Sequence, residues 1–428
     1  MEDRFSKSSH PSTVTYEKHC IFRLSRRLNN INGKSLDPQV VALGLGPYHH
    51  GKPQLQNMEE LKWRWLASFM ESKKGKLEEC LIQLRPLEKE VRECYSETIK
   101  LSADELLQMM VVDGCFILML FISARVNLDL GKAYMDLKLI YELDMVILPK
   151  IYRDLLLLEN QIPSCVLKTL YKICIRSKSL FVIATKFFRS ISVIPEFTNI
   201  LDSLEWLHLL DLVRMIFISR RHNKEIRRTD DYGPFNLIPC VTKLRRAGIK
   251  VNRHMADSFL DVKFNNGVIE MPDINLNNKM CSLLVNCVAF EQYSCNIFKH
   301  FSIYAMLLDC LVNTARDVDH LYDRHVIDNF FGTDAETAQF INNLGKDLII
   351  NKDHSHDNDN SFLLELFGDV NKYYQKRMNN WGNWQWTSEH EYFGKPWLLI
   401  SAFVGFVLLV LTFLQTFYTM YAYVHPKN

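Results

Sequence analysis

An uncharged run of 22 residues, 397–418, constrains this chain more than any other feature of its sequence. An α-helix rises ~1.5 Å per residue, so the run would be about 33 Å long and could cross the ~30 Å hydrocarbon core of a bilayer. Trp397 stands at one edge and Tyr418 at the other, where amphipathic rings prefer to lie. We therefore predict one transmembrane helix at 397–420, a short tail at 421–428, and a large body that folds in water.

Two small residues, Ser401 and Gly405, lie four positions apart within this run. Such a pair lets two membrane helices approach each other closely. The pair is compatible with a homodimer formed through the membrane helix; the alternative is a pair that only faces lipid.

The composition and charge of the chain limit its class of partner. The chain is 48% hydrophobic and 12% aromatic, as expected of a packed globular body. Lys and Arg total 51 against 49 Asp and Glu, which leaves a net charge of +2. Binding to a nucleic acid would require a clustered basic excess, so no nucleic-acid partner is predicted.

Several features place the predicted body in the cytosol. The eleven cysteines lie mostly in apolar runs without a CxxC pair, which indicates reduced thiols. The first residues lack the apolar stretch of a secretory signal, and no Asn-x-Ser/Thr sequon occurs. Lys372, Lys376, Arg377 and Lys395 precede the predicted span, whereas only Lys427 follows it. The positive-inside rule therefore predicts a single-pass protein of the plasma membrane or an endomembrane, inserted after translation, with a cytosolic body.

The body has a mainly helical periodicity. Residues 1–18 are polar and unpatterned and are predicted to be disordered. Residues 19–390 form one predicted helical domain, with a possible sub-boundary at 219–235. The apolar stretch 103–122 resembles a second membrane span, but polar residues in its middle, among them Asp113, favour a buried core helix.

Apolar residues that repeat at three and four positions begin at Met58, with Glu59, Lys62 and Arg64 predicted to face away from the core. A helix is predicted at 76–99, with Pro86 as an early kink or a first-turn residue. Further helices are predicted at 165–174, 179–190, 198–218, 279–314, 316–331, 334–345 and 360–380. A helix should also stop or bend near Pro163.

The one clear strand signal is a pair of short apolar runs on either side of Asn265-Asn266-Gly267, which predicts a β-hairpin. The predicted fold class is therefore mainly α: a large helical globular body with a minor β-hairpin and one C-terminal transmembrane helix.

The most pointed local motif is the sequence GLGPYHHG at 44–51. It is not a dinucleotide fingerprint, because His49 stands where the third glycine belongs and Pro47 removes an amide. Adjacent histidines could bind a metal, but one dipeptide rarely supplies two ligands in good geometry. We favour a tight turn whose glycines permit close backbone approach and whose imidazoles hydrogen-bond to neighbouring helices. The residues singled out here are Gly46, Pro47, Tyr48, His49, His50 and Gly51.

Asp113 and Cys115 invite the hypothesis of a catalytic cysteine. A reactive thiolate needs a partly exposed, electropositive setting. The flanking residues are apolar and the nearest charge, Asp113, is negative. A buried structural thiol is therefore the favoured interpretation.

Two polar clusters interrupt apolar segments: Glu159-Asn160-Gln161 before Pro163, and Glu291-Gln292 inside a helix. Either glutamate could act as a general acid or base, and the two carboxylates could meet in space. The favoured alternative for the first cluster is a polar network that satisfies the backbone freed at Pro163, and the second cluster has a similar character.

Two polar stretches have weaker functional interpretations. The basic stretch 220–231 could bind phosphate or acidic lipid, and His354, His356, Asp357 and Asp359 could hold a cation weakly; solvated loops are favoured for both. No P-loop, HExxH, G-x-S-x-G or kinase motif occurs. No catalytic, cofactor-binding or metal-binding residue and no cofactor is therefore assigned.

Taken in order, these motifs resemble the plant Domain of Unknown Function 247 family over nearly the whole chain, 16–421. The stretches that carry the resemblance are 43–51 with Met58, Glu59 and Lys62, then 92–95, 109–116, 154–163, 244–249, 264–267, 286–292, 314–318 and 392–397. The chain departs from the family pattern in two places. Ile21-Phe22-Arg23-Leu24-Ser25 lacks the proline of the family's opening segment, and Cys240-Val241 replaces the Ser-Ala that the family has after a proline.

The resemblance implies a mostly helical body with a C-terminal membrane helix, and it supplies no catalytic residues. Some grass members act as pollen-side determinants of self-incompatibility, and others are linked to growth or stress. Three functions therefore remain open at this point. The chain could be a membrane-tethered recognition or signalling component, a membrane-bound enzyme that uses Glu159 or Glu291 with His49 or His50, or a structural tether. The first is favoured, and enzymatic activity is not expected.

Overall fold

The computed structural model describes residues 19–24, 42–71, 75–126, 148–175, 179–190, 205–219, 236–295, 297–330, 332–349, 361–379 and 396–424. Four predictions lie outside these residues: the polar N-terminus at 1–18, the basic stretch at 220–231, the possible sub-boundary at 219–235 apart from its first residue, and the histidine-containing loop at 354–360.

Helices make up most of the described chain, which confirms the predicted mainly α class. In chain order they are α1 (Gln56–Glu71), α2 (Lys76–Leu84), α3 (Glu88–Glu93), α4 (Ala103–Val126), α5 (Leu148–Asp154), α6 (Ser164–Cys174), α7 (Leu180–Ser190), α8 (Leu209–Ser219), α9 (Val241–Arg246), α10 (Asn278–Tyr293), α11 (His300–Leu311), α12 (Ala315–Asp323), α13 (Asp334–Gly345), α14 (Ser361–Asn379) and α15 (Pro396–Val424). The strands are β1 (Lys250–Arg253), β2 (Lys263–Asn265), β3 (Val268–Met271), β4 (Ile274–Leu276) and β5 (Ile327–Asn329).

Helix α4 lies at the centre of the N-terminal half of the body, packed against α1, α6 and α7. Its apolar window, Ala103–Ser123, is 83% buried, which confirms the prediction of a core helix rather than a second span. Trp65 of α1 packs on Phe116 with 4.9 Å between ring centroids. Gly114 allows α6 to approach, because a Cβ added there would lie 2.4 Å from Leu170 Cδ1.

The predicted hairpin is present, and it belongs to a larger β structure. β2 pairs with β3 in antiparallel fashion, and the turn places Asn266 at φ 49° and Gly267 at φ 85°, as a type I′ turn requires. Three strands were not predicted: β1 pairs with β3 in parallel, and β4 pairs with β5 in parallel. These strands have three or four residues each, too few for an alternating pattern to stand out.

Two long helices predicted in the C-terminal half are each shorter in the structure. The predicted helix 279–314 is divided into α10 and α11, because the Glu291 carboxylate accepts hydrogen bonds from the N–H groups of Phe301 and Ser302 and so caps α11. The predicted helix 316–331 ends as α12, after which His325 adopts φ 53° and the chain continues into β5.

The N-terminal half also differs from prediction in detail. A 3₁₀ turn, Arg85–Leu87, holds Pro86 and separates α2 from α3 within the predicted helix 76–99. Residues 205–208 are not helical, so α8 begins at Leu209 rather than at 198. Pro163 does not end a helix: α5 ends at Asp154, and Pro163 directly precedes α6.

One hydrophobic core extends through the body from Cys20 to Val370. All eleven cysteines lie within the described residues and are reduced thiols rather than disulfides, as expected. Helix α15 differs from the other helices. Its apolar window, Phe403–Met420, has a mean hydropathy of 1.9 and is 0% buried. By length and composition it is a candidate membrane span, so the structure has the apolar helix predicted at 397–420.

Candidate functional site

The GLGPYHHG motif forms a turn, here called the glycine loop (residues 44–51), that is inserted into the body. Gly46 has φ 65°, and a Cβ there would lie 2.9 Å from Tyr95 Oη and 3.0 Å from the Gln161 carbonyl oxygen. Only glycine adopts this conformation at so close an approach without strain. The prediction of a tight turn with close backbone contacts is confirmed.

A buried ion pair between α1 and α4 binds the backbone of the glycine loop. Lys62 Nζ lies 2.5 Å from Asp113 Oδ1 and donates to the Gly44 carbonyl at 2.8 Å, while Asp113 Oδ2 accepts from the Gly46 N–H at 2.8 Å. Both side chains are 1% exposed. Burial alone would lower the pKa of Lys62, but the charges of Asp113 and Glu59 raise it above its usual value. Lys62 therefore stays protonated inside the core.

The prediction that Lys62 faces away from the core is wrong. Its position follows Met58 by four residues and precedes Trp65 by three, which places it on the apolar stripe of α1. A lysine on that stripe, with an aspartate in the middle of an apolar helix, was the available signal for a buried pair. Sequence reasoning singled out Asp113 but not its partner.

Asn160 and Gln161 belong to a second support, the polar segment (residues 155–163) that joins α5 to α6. Asn160 Oδ1 accepts from the Leu45 N–H at 2.7 Å, and its Nδ2 donates to the Leu43 carbonyl at 2.8 Å. Gln161 Nε2 donates to the Leu155 carbonyl at 2.8 Å. These contacts form a polar network that satisfies backbone groups, as predicted, but the groups belong to residues 43–45 and to Leu155 rather than to a helix broken at Pro163.

Asp154, which the sequence analysis missed, completes this support. It is 0% exposed, and its Oδ2 accepts from the N–H groups of Ala42 and Leu43 at 2.6 and 3.0 Å. Burial raises the pKa of Asp154, although Arg153 and the two amides oppose that effect. No periodicity identifies such a residue, because its partners lie more than 100 positions away in the sequence.

Glu159 faces the opposite side of the loop and meets His49. Glu159 Oε1 lies 3.3 Å from His49 Nε2, an ion-pair distance without the alignment of a good hydrogen bond, and Lys52 Nζ lies 2.8 Å from His49 Nδ1. A protonated lysine can only donate, so His49 Nδ1 accepts and its Nε2–H faces Glu159.

The environment shifts the pKa values of Glu159 and Lys52, the two ends of this row of three side chains. Burial would raise the pKa of Glu159, but His49, Lys52 and Arg23 together hold it below its usual value. Burial lowers the pKa of the Lys52 amine, with the charge of Glu159 opposing it. We refer to Lys52, His49 and Glu159 as the relay. Lys52 was not singled out from the sequence, although it lies three residues after His49.

The other loop residues have distinct environments. Tyr48 Oη accepts from the Glu97 N–H at 3.2 Å, and the guanidinium of Arg23 lies 4.4 Å from the Tyr48 ring centroid. Pro47 is half-buried, and His50 and Gly51 are exposed. One histidine of the pair is thus buried and the other exposed, so the two do not converge as metal ligands. His49 does not make the predicted hydrogen bond to a neighbouring helix: its Nδ1 contacts Lys52 three residues later, and its Nε2 has only the ion-pair contact with Glu159.

Glu291 does not join the relay. Arg214 Nε donates to its Oε1 at 2.9 Å, and Ser302 donates to its Oε2 from both N–H and Oγ at 2.7 and 3.0 Å. Burial raises the pKa of Glu291, which Arg214 and the two amides counteract. The suggested meeting of Glu159 and Glu291 is wrong, because each carboxylate has its own set of partners. Gln292 donates to Ser302 Oγ at 3.0 Å.

Cys115 is fully buried, as the structural-thiol interpretation predicts. Among the described residues, one group could offer three ligand atoms within 4.8 Å: Asp319, His320 and Asp323. The Arg245 guanidinium contacts the His320 imidazole there. A cation already in contact with the imidazole, together with exposed carboxylates, does not fit a metal centre.

Comparison with known proteins gives the family directly. A family model described as "Plant protein of unknown function", DUF247, matches residues 21–411. The chain belongs to this plant family. The DUF247 protein is 32% identical to the UPF0481 protein At3g47200 of Arabidopsis thaliana, over 96% of this chain and 88% of the relative. It is 22% identical to the Putative UPF0481 protein At3g02645 of the same plant, over 93% and 89%. No solved structure matches it.

We predict that Lys62→Met destabilises this DUF247 protein by about 3–5 kcal/mol, because it leaves the Asp113 carboxylate buried without a counter-charge. The matched control is Arg85→Met, which removes an ion pair to Asp104 whose side chains are 67% and 78% exposed. That variant should change stability by less than about 1 kcal/mol. Urea unfolding at neutral pH measures both, and equal effects of the two variants would contradict the role given to Lys62.

A second prediction concerns His208, which is fully buried and whose Nε2 lies 3.0 Å from the Cys20 carbonyl oxygen. Burial lowers the pKa of His208 to about 4. Between pH 6.5 and 4 the His208 imidazole therefore binds a proton in the unfolded chain but not in the folded chain. The free energy of unfolding decreases as the pH falls through this range. From pH 7 to pH 5 the loss should be about 2 kcal/mol, measured by urea unfolding. His208→Gln should reduce this loss; an unchanged pH profile would show that the imidazole is not held neutral.

Proposed function

We propose that this DUF247 protein is a single-pass, membrane-anchored recognition component that presents its helical body to protein partners beside the bilayer. The observation that carries the proposal is α15, whose apolar window is 0% buried although its mean hydropathy is 1.9. A soluble protein rarely leaves so long an apolar surface in water. Insertion into lipid would satisfy this helix, since an α-helix pairs its own backbone groups.

The contrast with α4 supports the choice of span. Both helices have the length and composition to cross a membrane, and α4 has the higher mean hydropathy of 2.1. Helix α4 is covered by its neighbours, so lipid would have to replace an existing core. Helix α15 has no such cover in the described residues, which leaves it free to enter the bilayer.

The recognition role is supported by apolar side chains that the body leaves exposed. Met255 is 81% exposed, Phe330 71% and Ile349 64%. Large apolar side chains of this exposure are what a protein partner would cover. The positive-inside bias places this surface in the cytosol. Membership of the family is compatible with the self-incompatibility role known for some members, and the shared motifs do not select that role.

A second candidate function is enzymatic, and the relay is the observation that favours it. Lys52, His49 and Glu159 lie in a row at 2.8 and 3.3 Å, with the histidine buried and the lysine half-buried. An amine whose pKa is lowered by burial, with an imidazole and a carboxylate behind it, gives up its proton more readily than an exposed lysine does. The alternative of an inert structural tether needs neither this reactivity nor a partner.

For the membrane anchor, we predict that the full-length protein stays in the vesicle pellet after washing with alkaline carbonate. The variant lacking residues 396–428 should remain in the supernatant as a folded, monodisperse body, because its other long apolar helix is already buried. An N-terminal tag should be digested by protease added outside intact vesicles. Release of the full-length chain by carbonate would contradict the anchor, and a protected tag would contradict the cytosolic body.

For the relay, we predict that Lys52 reacts faster with an amine-acylating reagent at pH 7 than Lys243, an exposed lysine without a described ion pair. The lowered pKa of Lys52 leaves more free amine at that pH. Glu159→Gln should accelerate labelling further, because the carboxylate charge holds the amine protonated. Peptide mapping by mass spectrometry measures both rates. A Lys52 rate below that of Lys243 would remove the basis for an enzymatic relay.

A further inference from the structure

Helix α15 carries the side-chain amide of Gln415, which its own helix does not satisfy. Within the described residues no side chain or backbone group hydrogen-bonds to this amide. Gln415 lies inside the apolar window Phe403–Met420, about 5 Å along the helix axis from its centre at ~1.5 Å per residue. At that depth no water is present to hydrogen-bond with the amide.

The threonines of α15 behave differently. Thr412, Thr416 and Thr419 each donate a hydroxyl hydrogen bond to the carbonyl four residues earlier, at 2.8, 2.8 and 2.7 Å. A threonine in a membrane helix thus satisfies its own donor. The Gln415 amide, with two donor hydrogens and an acceptor oxygen, has no equivalent arrangement available in the described structure.

Gln415 also falls on a regular seam. Small or polar residues recur along α15 in steps of four, three, four, three and four, with one leucine among them. The seam consists of Ser401, Gly405, Leu408, Thr412, Gln415 and Thr419. Steps that alternate between three and four average 3.5 residues, the period at which two helices pack along a left-handed supercoil.

The seam is open to a neighbour. A Cβ placed on Gly405 would meet no atom within 4 Å, so the backbone there is accessible to a second helix. The seam differs from a run of small residues because it contains an amide that needs a partner. Glutamine both donates and accepts, so an identical glutamine across a two-fold axis satisfies it in both directions.

We propose that α15 pairs with α15 of a second copy of this chain, with the two Gln415 amides exchanging hydrogen bonds across the seam. This inference rests on the proposed membrane anchor and adds the partner to it. The helices cross in the left-handed sense, with Gly405 and Thr412 at the closest approach and Gln415 fixing the register. A hydrogen bond between membrane helices replaces no bond to water, so it contributes directly to association.

The test uses purified full-length protein in phosphatidylcholine vesicles, with separate N-terminal donor and acceptor fluorophores, so that this chain is the only protein present. The matched variant exchanges two neighbours, Leu414→Gln with Gln415→Leu. It keeps the composition, the hydropathy and the depth of the amide, but it turns the amide by about 100° away from the seam. Its dissociation constant should rise about three- to tenfold over the wild-type value, and Gln415→Leu should give a similar rise.

Cysteine cross-linking gives an independent measurement of the seam. Leu408→Cys lies on the seam, and Val410→Cys lies about 200° away on the other side of the helix. Under mild oxidation in the same vesicles, position 408 should form a covalent dimer, and position 410 should give only the background of the unmodified chain. Equal cross-linking at the two positions would overturn the proposed orientation.

The outcomes separate this inference from the anchor. If the wild type is monomeric in vesicles, or if the exchanged variant associates as tightly as the wild type, the seam is overturned while resistance to carbonate still supports the anchor. If carbonate releases the full-length chain, both proposals fail. Tighter association of the wild type than of both Gln415 variants, all of which stay in the carbonate pellet, supports the seam.

Discussion

The buried ion pair between Lys62 and Asp113 is the contact on which the rest of the body depends. It joins α1 to α4 and, through the carbonyl of Gly44 and the amide of Gly46, fixes the glycine loop over both helices. The desolvation cost of burying two charges is offset only when the pair has good geometry and its remaining donors and acceptors are hydrogen-bonded. The loop supplies those bonds, so the ion pair and the loop require each other.

The two candidate glutamates show how environment separates identical side chains. Glu291 is enclosed by Arg214, two backbone amides and a serine hydroxyl, and it acts as the cap that starts α11. Glu159 instead faces a histidine whose far nitrogen contacts a half-buried lysine. Both oxygens of the Glu291 carboxylate accept hydrogen bonds from structural partners. The Glu159 carboxylate ends a row of side chains that extends to a half-buried lysine, and its own contact with His49 is an ion-pair distance without hydrogen-bond alignment.

Periodicity predicted what depends on local sequence. The helix at 334–345, the turn at Asn266-Gly267 and the buried character of α4 follow from patterns within a single segment, and all three are present. What could not be predicted comes from contacts between distant segments. The short parallel pair β4 and β5 is of this kind, as is the cap from Glu291 that divides a predicted long helix.

For the candidate site, too, residues that stand out within their own segment were predicted, and their distant partners were not. The glycine loop, Glu159 and Asp113 were recognised because each interrupts a pattern in its own segment. Of their partners, Lys62 carried a signal only through its place on the apolar stripe of α1, where a charged side chain normally points to solvent, and Asp154 carried none. Only the fold brings these partners into contact.

The order of the two apolar helices along the chain has a consequence for biosynthesis. A membrane-insertion machinery that reads hydropathy would encounter α4 nearly 300 residues before α15, and α4 is the more apolar of the two. If α15 is the membrane anchor, as we propose, the N-terminal helices have to enclose α4 before that machinery binds it. On the proposed single-span arrangement, a mutation that slows the packing of α1, α6 and α7 around α4 would favour insertion of the wrong helix as well as lower the stability of the body.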